Sequence, residues 1–303
     1  MLQLQYKMQL CFINVHKAFT FDKKFRMKLF IIALLTVNCS IIHAQYYYND
    51  IVSNTQSNKQ YALLKQNKIK KVTVNSFNAD GSASDGFQLQ QEFDMYWRKM
   101  TTTSRTITGA TSILTTAYEN NKVKKIEEIT KGVQQKTEYT YNDAGKLKTI
   151  SSTMKDTALK YQTTEVHVWQ YNSNNQPERM LKIKNEKDTT LIQFIYDEKG
   201  NVAEERWSNK GLLLEIYYYY YNNKSQLTDI VRFNQKVKKM LPDFLFDYDE
   251  KGNIIEYTTI HMGNSNYNTW KYTYNTEGLK QEEICYNKQK EIVGRISYTY
   301  AIN

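Results

Sequence analysis

The chain has 303 residues, a formal net charge of +10, and 41% hydrophobic and 24% charged residues. That length fits one large domain or two modest ones. The charge is spread over interspersed Lys and Glu, which excludes the concentrated basic stripe of a nucleic-acid binder. Tyr occurs 25 times and Pro only twice, a bias towards pleated strands and away from residues that break them.

In chain order, the first element is a leader over residues 1–44. Met27-Lys28 precedes an unbroken apolar run from Leu29 to Leu35, and small and polar residues follow up to Ala44. A charged start, a short apolar core and Ala before Gln45 read as a secretory signal peptide whose true start is Met27. The run is too short for a membrane span, which takes about 20 residues, so no transmembrane helix is expected in the mature chain. Lipid attachment at Cys39 is not expected either, because Asn38 stands where a small residue is wanted. Removing the leader's six basic and one acidic residues leaves 35 against 30, so the mature chain is near +5. Cys11 and Cys39 leave with the leader and Cys285 remains by itself. The mature chain therefore reads as exported to the periplasm, cell surface or exterior, with a fold that no internal disulfide supports.

Residues 45–303 read as one domain, since no Pro/Ser-rich linker or charge block divides them. Residues 45–60 are polar and unrepetitive, which suits an extended arm, a short helix or a cap. N-K-I-K-K-V at Asn67–Val72 returns as N-K-V-K-K-I at Asn121–Ile126, and Phe93 and Tyr118 anchor degenerate copies of a unit that is clearest over residues 115–303. There the last aromatic before each turn is Tyr141, Tyr171, Tyr196, Tyr221, Tyr248, Tyr274 and Tyr300, in steps of 30, 25, 25, 27, 26 and 26 residues. Tyr139, Trp169, Phe194, Tyr219, Phe246, Tyr272 and Tyr298 stand two positions earlier, and mostly polar residues lie between. This alternation predicts a pre-turn strand with one dry and one wet face. In Tyr217–Tyr221 both faces are aromatic, so that strand is either covered twice or carries an exposed patch.

The turns carry hairpin chemistry. Gly145, Gly200, Gly252 and Gly278 stand four residues after their tyrosines, with Asn175 and Ser225 in the other two complete copies. Gly accepts the positive φ of a short loop. Asn or Asp follows each tyrosine except the last and can bond the turn backbone. After the turn, apolar residues come three apart, as in Leu147/Ile150, Leu227/Ile230 and Ile254/Tyr257, which points to a β-bulge. Val202 breaks this pattern, because Glu205 follows it. The fold class is all-β: an extended, strongly curled antiparallel meander of hairpins with a period of about 26 residues. Since the chain ends just after Tyr300, the last strand is expected to leave an edge.

Y-D-E-K-G-N-V at Tyr196, Y-D-E-K-G-N-I at Tyr248 and Y-N-D-A-G-K-L at Tyr141 resemble the YD repeat of RHS-type proteins. The resemblance implies long antiparallel sheets that coil into shells. This chain lacks a C-terminal toxin module and has few repeats, and it looks more like small exported YD-like proteins of Bacteroidetes-type bacteria. MORN-like hairpin repeats are a more distant likeness.

Catalytic signatures are missing from the sequence. There is no phosphate-binding Gly loop, no G-x-S-x-G and no H-E-x-x-H. The mature chain holds only His167, His261 and Cys285 as soft ligands or nucleophiles, too few for a four-ligand zinc site. Asp197/Glu198 and Asp249/Glu250 recur at one repeat position and read as turn residues. No cofactor is expected. Ring stacking on a sugar or an envelope protein is the remaining potential, with Trp97, Trp207, Tyr218, Tyr220 and Trp270 as candidates if exposed. The sequence thus favours a non-enzymatic exported binding or structural module. The alternatives are an envelope enzyme acting on a polysaccharide or other surface polymer, and an outer-membrane β-barrel.

Overall fold

In the computed structural model the structure describes residues 46–84, 86–105, 109–130, 132–234, 238–260 and 266–302. The leader, with Met27, Cys11 and Cys39, and also His261, lie outside the described residues. One helix, α1 (Tyr48–Gln66), precedes the strands. The first nine are β1 (Lys71–Asn78), β2 (Gln88–Phe93), β3 (Lys99–Arg105), β4 (Thr111–Glu119), β5 (Lys122–Thr130), β6 (Val133–Tyr141), β7 (Leu147–Asp156), β8 (Tyr161–Tyr171) and β9 (Pro177–Lys184). The rest are β10 (Asp188–Tyr196), β11 (Val202–Asn209), β12 (Leu212–Tyr221), β13 (Leu227–Asn234), β14 (Lys239–Tyr248), β15 (Ile254–Ile260), β16 (Tyr267–Tyr274), β17 (Lys280–Tyr286) and β18 (Ile292–Ala301).

Each strand pairs antiparallel with its sequence neighbours, and β18 pairs with β1 from Lys71↔Ala301 to Asn78↔Gly294. The sheet is therefore a closed barrel of 18 strands among the described residues, not an open curled sheet. The edge expected after Tyr300 is absent. β1 supplies the partner for the last strand. Closure starts at the Lys70 N–H, which donates to the Ala301 carbonyl at 2.9 Å, and it removes every exposed edge.

The pre-turn strands have the two faces that their alternation dictates. Trp169, Phe194, Tyr219 and Tyr272 are buried in the barrel core, whereas Thr140, Ile195, Tyr220, Asp247, Thr273 and Thr299 are exposed on the outer wall. Tyr217 is also buried and Tyr220 is exposed, so β12 carries an aromatic outer surface.

In the turns, Asp197 Oδ1 accepts the N–H groups of Lys199 and Asn201, and Asp249 Oδ1 accepts that of Asn253. These bonds, with those from the Asn side chains, hold both carboxyls below the usual range. Gly200 takes φ +81°, and a Cβ there would meet the Gln176 amide at 3.1 Å.

A register shift follows each of these turns. Tyr196 faces Val202 but Ile195 faces Glu204, which leaves Ala203 as the bulged residue. The same shift recurs at Tyr141, Tyr171, Tyr221, Tyr248 and Tyr274. It explains the three-residue spacing, because a bulge returns the third residue to the inner face. Leu147 and Ile150, and Leu227 and Ile230, are all buried.

The bulge has a second effect. β11 pairs with β12 only from Glu204 onwards, so the Val202 carbonyl on that side lies outside the ladder. The Tyr221 hydroxyl donates to it at 2.9 Å. Five other phenols do the same at 2.6–2.8 Å: Tyr141 to Val123, Tyr171 to Leu147, Tyr248 to Leu227, Tyr274 to Ile254 and Tyr300 to Lys280. Tyr196 donates likewise to Pro177.

Replacing Tyr248 by Phe keeps the ring and orphans the Leu227 carbonyl. The variant is expected to unfold about 1 kcal/mol more easily in equilibrium urea titration. Equal stability would mean that the hydroxyl adds nothing beyond ring packing.

Candidate functional site

The helix is the part of the chain that the strand pattern did not contain. α1 runs 19 residues, from Tyr48 past Lys65, and lies against the turn-lined end of the barrel. From Tyr48 the stretch up to residue 60 is thus a helix, the second of the three options that its composition left open, and the helix extends beyond it to Gln66. It carries no apolar stripe; its buried residues are Asp50, Tyr61 and Leu64. Such a sequence is not a stable helix by itself in water. The barrel wall supplies what it lacks.

At the N-terminus of α1 that supply is Glu205, from β11. Its Oε1 accepts the Tyr47 N–H at 2.7 Å and its Oε2 accepts the Tyr48 N–H at 2.8 Å. The Trp207 indole N–H and the Tyr219 hydroxyl donate to the same carboxylate at 2.5 Å each. Glu205 is fully buried, and this burial raises its pKa while the four donors oppose the rise. A ring of donors fits the ionised form, and a carboxylate here also faces the positive end of the helix dipole. Glu205 sits three residues after Val202, where the other copies place Ile150, Ile230 and Tyr257 on the inner face. The break in the apolar pattern was thus the sequence signal for this contact.

One turn along, Asp50 of α1 meets His167 of β8. His167 Nδ1 lies 2.5 Å from Asp50 Oδ2, and Nε2 lies 3.0 Å from Glu165 Oε1. Burial disfavours charge on the imidazole, but the two carboxylates outweigh it and raise its pKa to about 9. Burial likewise raises the Glu165 pKa, and His167 and Lys182 outweigh that, bringing it to about 2. Lys182 also donates to the Tyr47 hydroxyl at 2.6 Å. Each imidazole nitrogen faces a carboxylate oxygen, a placement that suits the cationic ring, which can donate to both. His167 acts here as a cationic pin that holds α1 in place.

At the other end of the helix, Tyr61 stacks on Tyr118 with centroids 3.9 Å apart and donates to the Trp97 carbonyl at 2.7 Å. Asn58 Oδ1 accepts the Val123 N–H at 2.9 Å. Between these anchors, α1 and the turns leave a cleft of about 450 Å³. Tyr48, Tyr141, Tyr171 and Tyr196 give it ring faces, and Thr55, Lys146 and Asn175 line it as well. The phenol hydroxyls of Tyr141, Tyr171 and Tyr196 are engaged by backbone carbonyls. The rings, and not the hydroxyls, are what the cleft offers a ligand.

The five aromatic residues singled out from sequence do not converge. Trp270 is 5% exposed and belongs to the core. Trp207 is half-buried against Tyr47 and Tyr217. Trp97 is half-buried beside Phe93, with the Lys70 ammonium 4.1 Å above its ring. Tyr218 and Tyr220 lie on the outer wall of β12, and Tyr220 is 52% exposed. The cleft tyrosines were read from sequence only as strand markers. Among the described residues, no cluster of His, Cys, Asp and Glu is arranged to hold a metal.

His167→Gln leaves Asp50 buried without its cation, and is expected to cost about 3–5 kcal/mol at neutral pH. The raised pKa fixes the sign of the pH effect. The pin's contribution is complete below the unfolded-state value of about 6.5 and is lost as pH rises through about 9. Urea titrations across that window should therefore show wild-type stability falling and the variant's falling less. Parallel curves would show that His167 is not charged in the native state.

No family model matches the chain, and no curated protein matches it. Among solved structures it is similar to a porin-like protein of Bacteroides uniformis, at 12% identity, TM-score 0.37, 77% of this chain and 96% of that one. A porin-like protein of Bacteroides vulgatus gives 12% identity and TM-score 0.28 over 77% of this chain and 98% of that one. A TcdB2-TccC3-Cdc42 complex gives 12% identity and TM-score 0.22 over 78% of this chain and 17% of that one. At these scores each is a likeness on which no conclusion rests.

Proposed function

We propose that the chain is a non-enzymatic, water-facing barrel of YD-like hairpin repeats that serves, after export, as a binding or structural module of the cell envelope. The observation that carries this reading is the polarity of the wall. Mid-strand positions of the outer face hold ion pairs: Lys125–Glu127, Lys136–Glu138, Arg206–Glu204 and Lys271–Glu256, at 2.7–3.2 Å. The inner face is an aromatic and aliphatic core closed over by α1. A membrane-spanning barrel needs the reverse, an apolar outer band about 25 Å tall around a polar lumen. The same wall counts against the outer-membrane alternative. Among the described residues no helix is long and apolar enough to cross a membrane. A glycan or envelope protein would meet the tyrosine faces of the cleft, which suit stacking on a sugar ring.

The test is extraction. The full chain, carrying Cys39→Ala so that a lipid anchor cannot imitate a spanning barrel, is exported from a Gram-negative host and the envelope is washed with high salt. Release without detergent is the expected result. Retention until detergent is added, with single-channel conductance in planar bilayers, would replace this reading by the outer-membrane one.

A further inference from the structure

The two ends of the barrel differ. One is lined by the bonded turns after Tyr141, Tyr196 and Tyr248 and is covered by α1. At the other, two neighbouring hairpins, β11–β12 and β13–β14, carry exposed apolar residues near their ends. Leu212, Leu213 and Leu214 are 72%, 60% and 56% exposed. Phe233 and Met240, directly paired across β13 and β14, are each 41% exposed, and Leu241 is 39% exposed. Leu213, Phe233 and Met240 lie on the outer face and Leu212 and Leu241 on the inner face, at the same end of neighbouring strands. A further apolar pair, Leu159 and Tyr161, stands on the β7–β8 hairpin at that end, 77% and 53% exposed. Exposed apolar side chains gathered at one end in this way mark a contact.

The charges beside the patch say what kind of contact. Lys210 and Lys239 are exposed beside these residues. The inward carboxylates Glu215 and Asp243 both pair with Arg232, Glu215 at 3.0 Å, and on the adjacent hairpin Asp188 accepts the Asn209 amide at 2.9 Å while Glu186 is exposed beside Lys184 and Lys187. The two hairpins therefore present leucines flanked by ammonium groups. A second copy of the chain would bring lysines against lysines. Apolar hairpin ends also fit a soft layer better than a flat protein face.

From this pattern we propose that the end of the barrel opposite α1 docks on an anionic lipid bilayer. The leucines enter the headgroup–acyl boundary and the lysines remain at the phosphate level. The barrel stands on the membrane and does not cross it, and the α1 end, with its cleft, faces away from the lipid. This inference rests on the reading of the outer wall as water-facing.

Vesicle flotation tests it, with the exported full chain carrying Cys39→Ala. Phosphatidylcholine vesicles containing phosphatidylglycerol are compared with phosphatidylcholine alone. The protein should float with the anionic vesicles only and be released by salt. Leu212→Ser/Leu213→Ser/Leu214→Ser should reduce binding roughly tenfold or more, and Lys210→Glu/Lys239→Glu should do so by a similar factor. Met95→Ser, at the α1 end, should bind as wild type does. Circular dichroism of each variant separates loss of binding from loss of fold. Failure of the soluble protein to float, or flotation that survives the leucine change, overturns the proposal and leaves the water-facing barrel intact. Concentration-dependent dimers that the leucine change abolishes would assign the patch to a second copy instead. Protein that cannot be kept in solution without detergent would fail the earlier reading, not this one.

Discussion

Seven turns at the α1 end, those after β4, β6, β8, β10, β12, β14 and β16, leave the next strand with a bulge, and each of these bulges leaves a backbone carbonyl outside the ladder. A buried carbonyl without a partner costs about 1–3 kcal/mol, and the barrel contains seven such positions. Its solution is local. The aligned tyrosine of the following hairpin reaches back across one strand and donates its hydroxyl, as Tyr221 does to Val202 and Tyr274 to Ile254. Leu or Phe could fill the same space but could not make the bond. The constraint thus accounts for the abundance of tyrosine. It also ties each hairpin to the one before it by a contact separate from the strand ladder.

The inner face shows the complementary rule. Most positions that point inward are apolar, and two of the departures from that pattern hold α1. Glu205 replaces an aliphatic residue and caps the helix; His167 meets Asp50. Glu283, three residues after Lys280, is a third departure. It is buried and accepts the Tyr298 hydroxyl at 2.6 Å and the Lys280 ammonium at 3.0 Å. Buried ionised groups are costly unless fully bonded. The bonds of Glu205 and His167 fix the position of a helix whose own sequence contains little to hold it.

What the sequence disclosed follows from which interactions are local. Strand alternation, turn chemistry and the bulge are written within ten residues of one another, and Tyr196, Gly200 and Val202 were readable as a unit. Closure is not local. β18 meets β1 across more than two hundred residues, and nothing in K-V-T-V-N-S-F-N distinguishes a closing strand from an edge. The helix was obscured for a different reason. Y-N-D-I-V-S-N-T-Q-S has no apolar periodicity, because its partners are carboxylates, amides and an imidazole on the wall. Its contact with Glu205 joins residues 158 positions apart. Yet Glu205 was visible as an exception, and an acidic residue on a dry face implies a set of donors.

The same reasoning bears on why the barrel is filled. Eighteen strands enclose more space than side chains alone close, which is how large membrane barrels come to hold channels or plugs. Here α1 occupies the turn-lined end, and Tyr46 and Tyr47 reach on to Phe244, Tyr219, His167 and Trp207. Because the wall carries its apolar face inward, an empty lumen would expose that face to water. The helix and the aromatic residues before it therefore complete the core. A ligand in the cleft would rest on α1 as much as on the wall, so whatever binds there reads the placement of a helix that Glu205 and His167 hold.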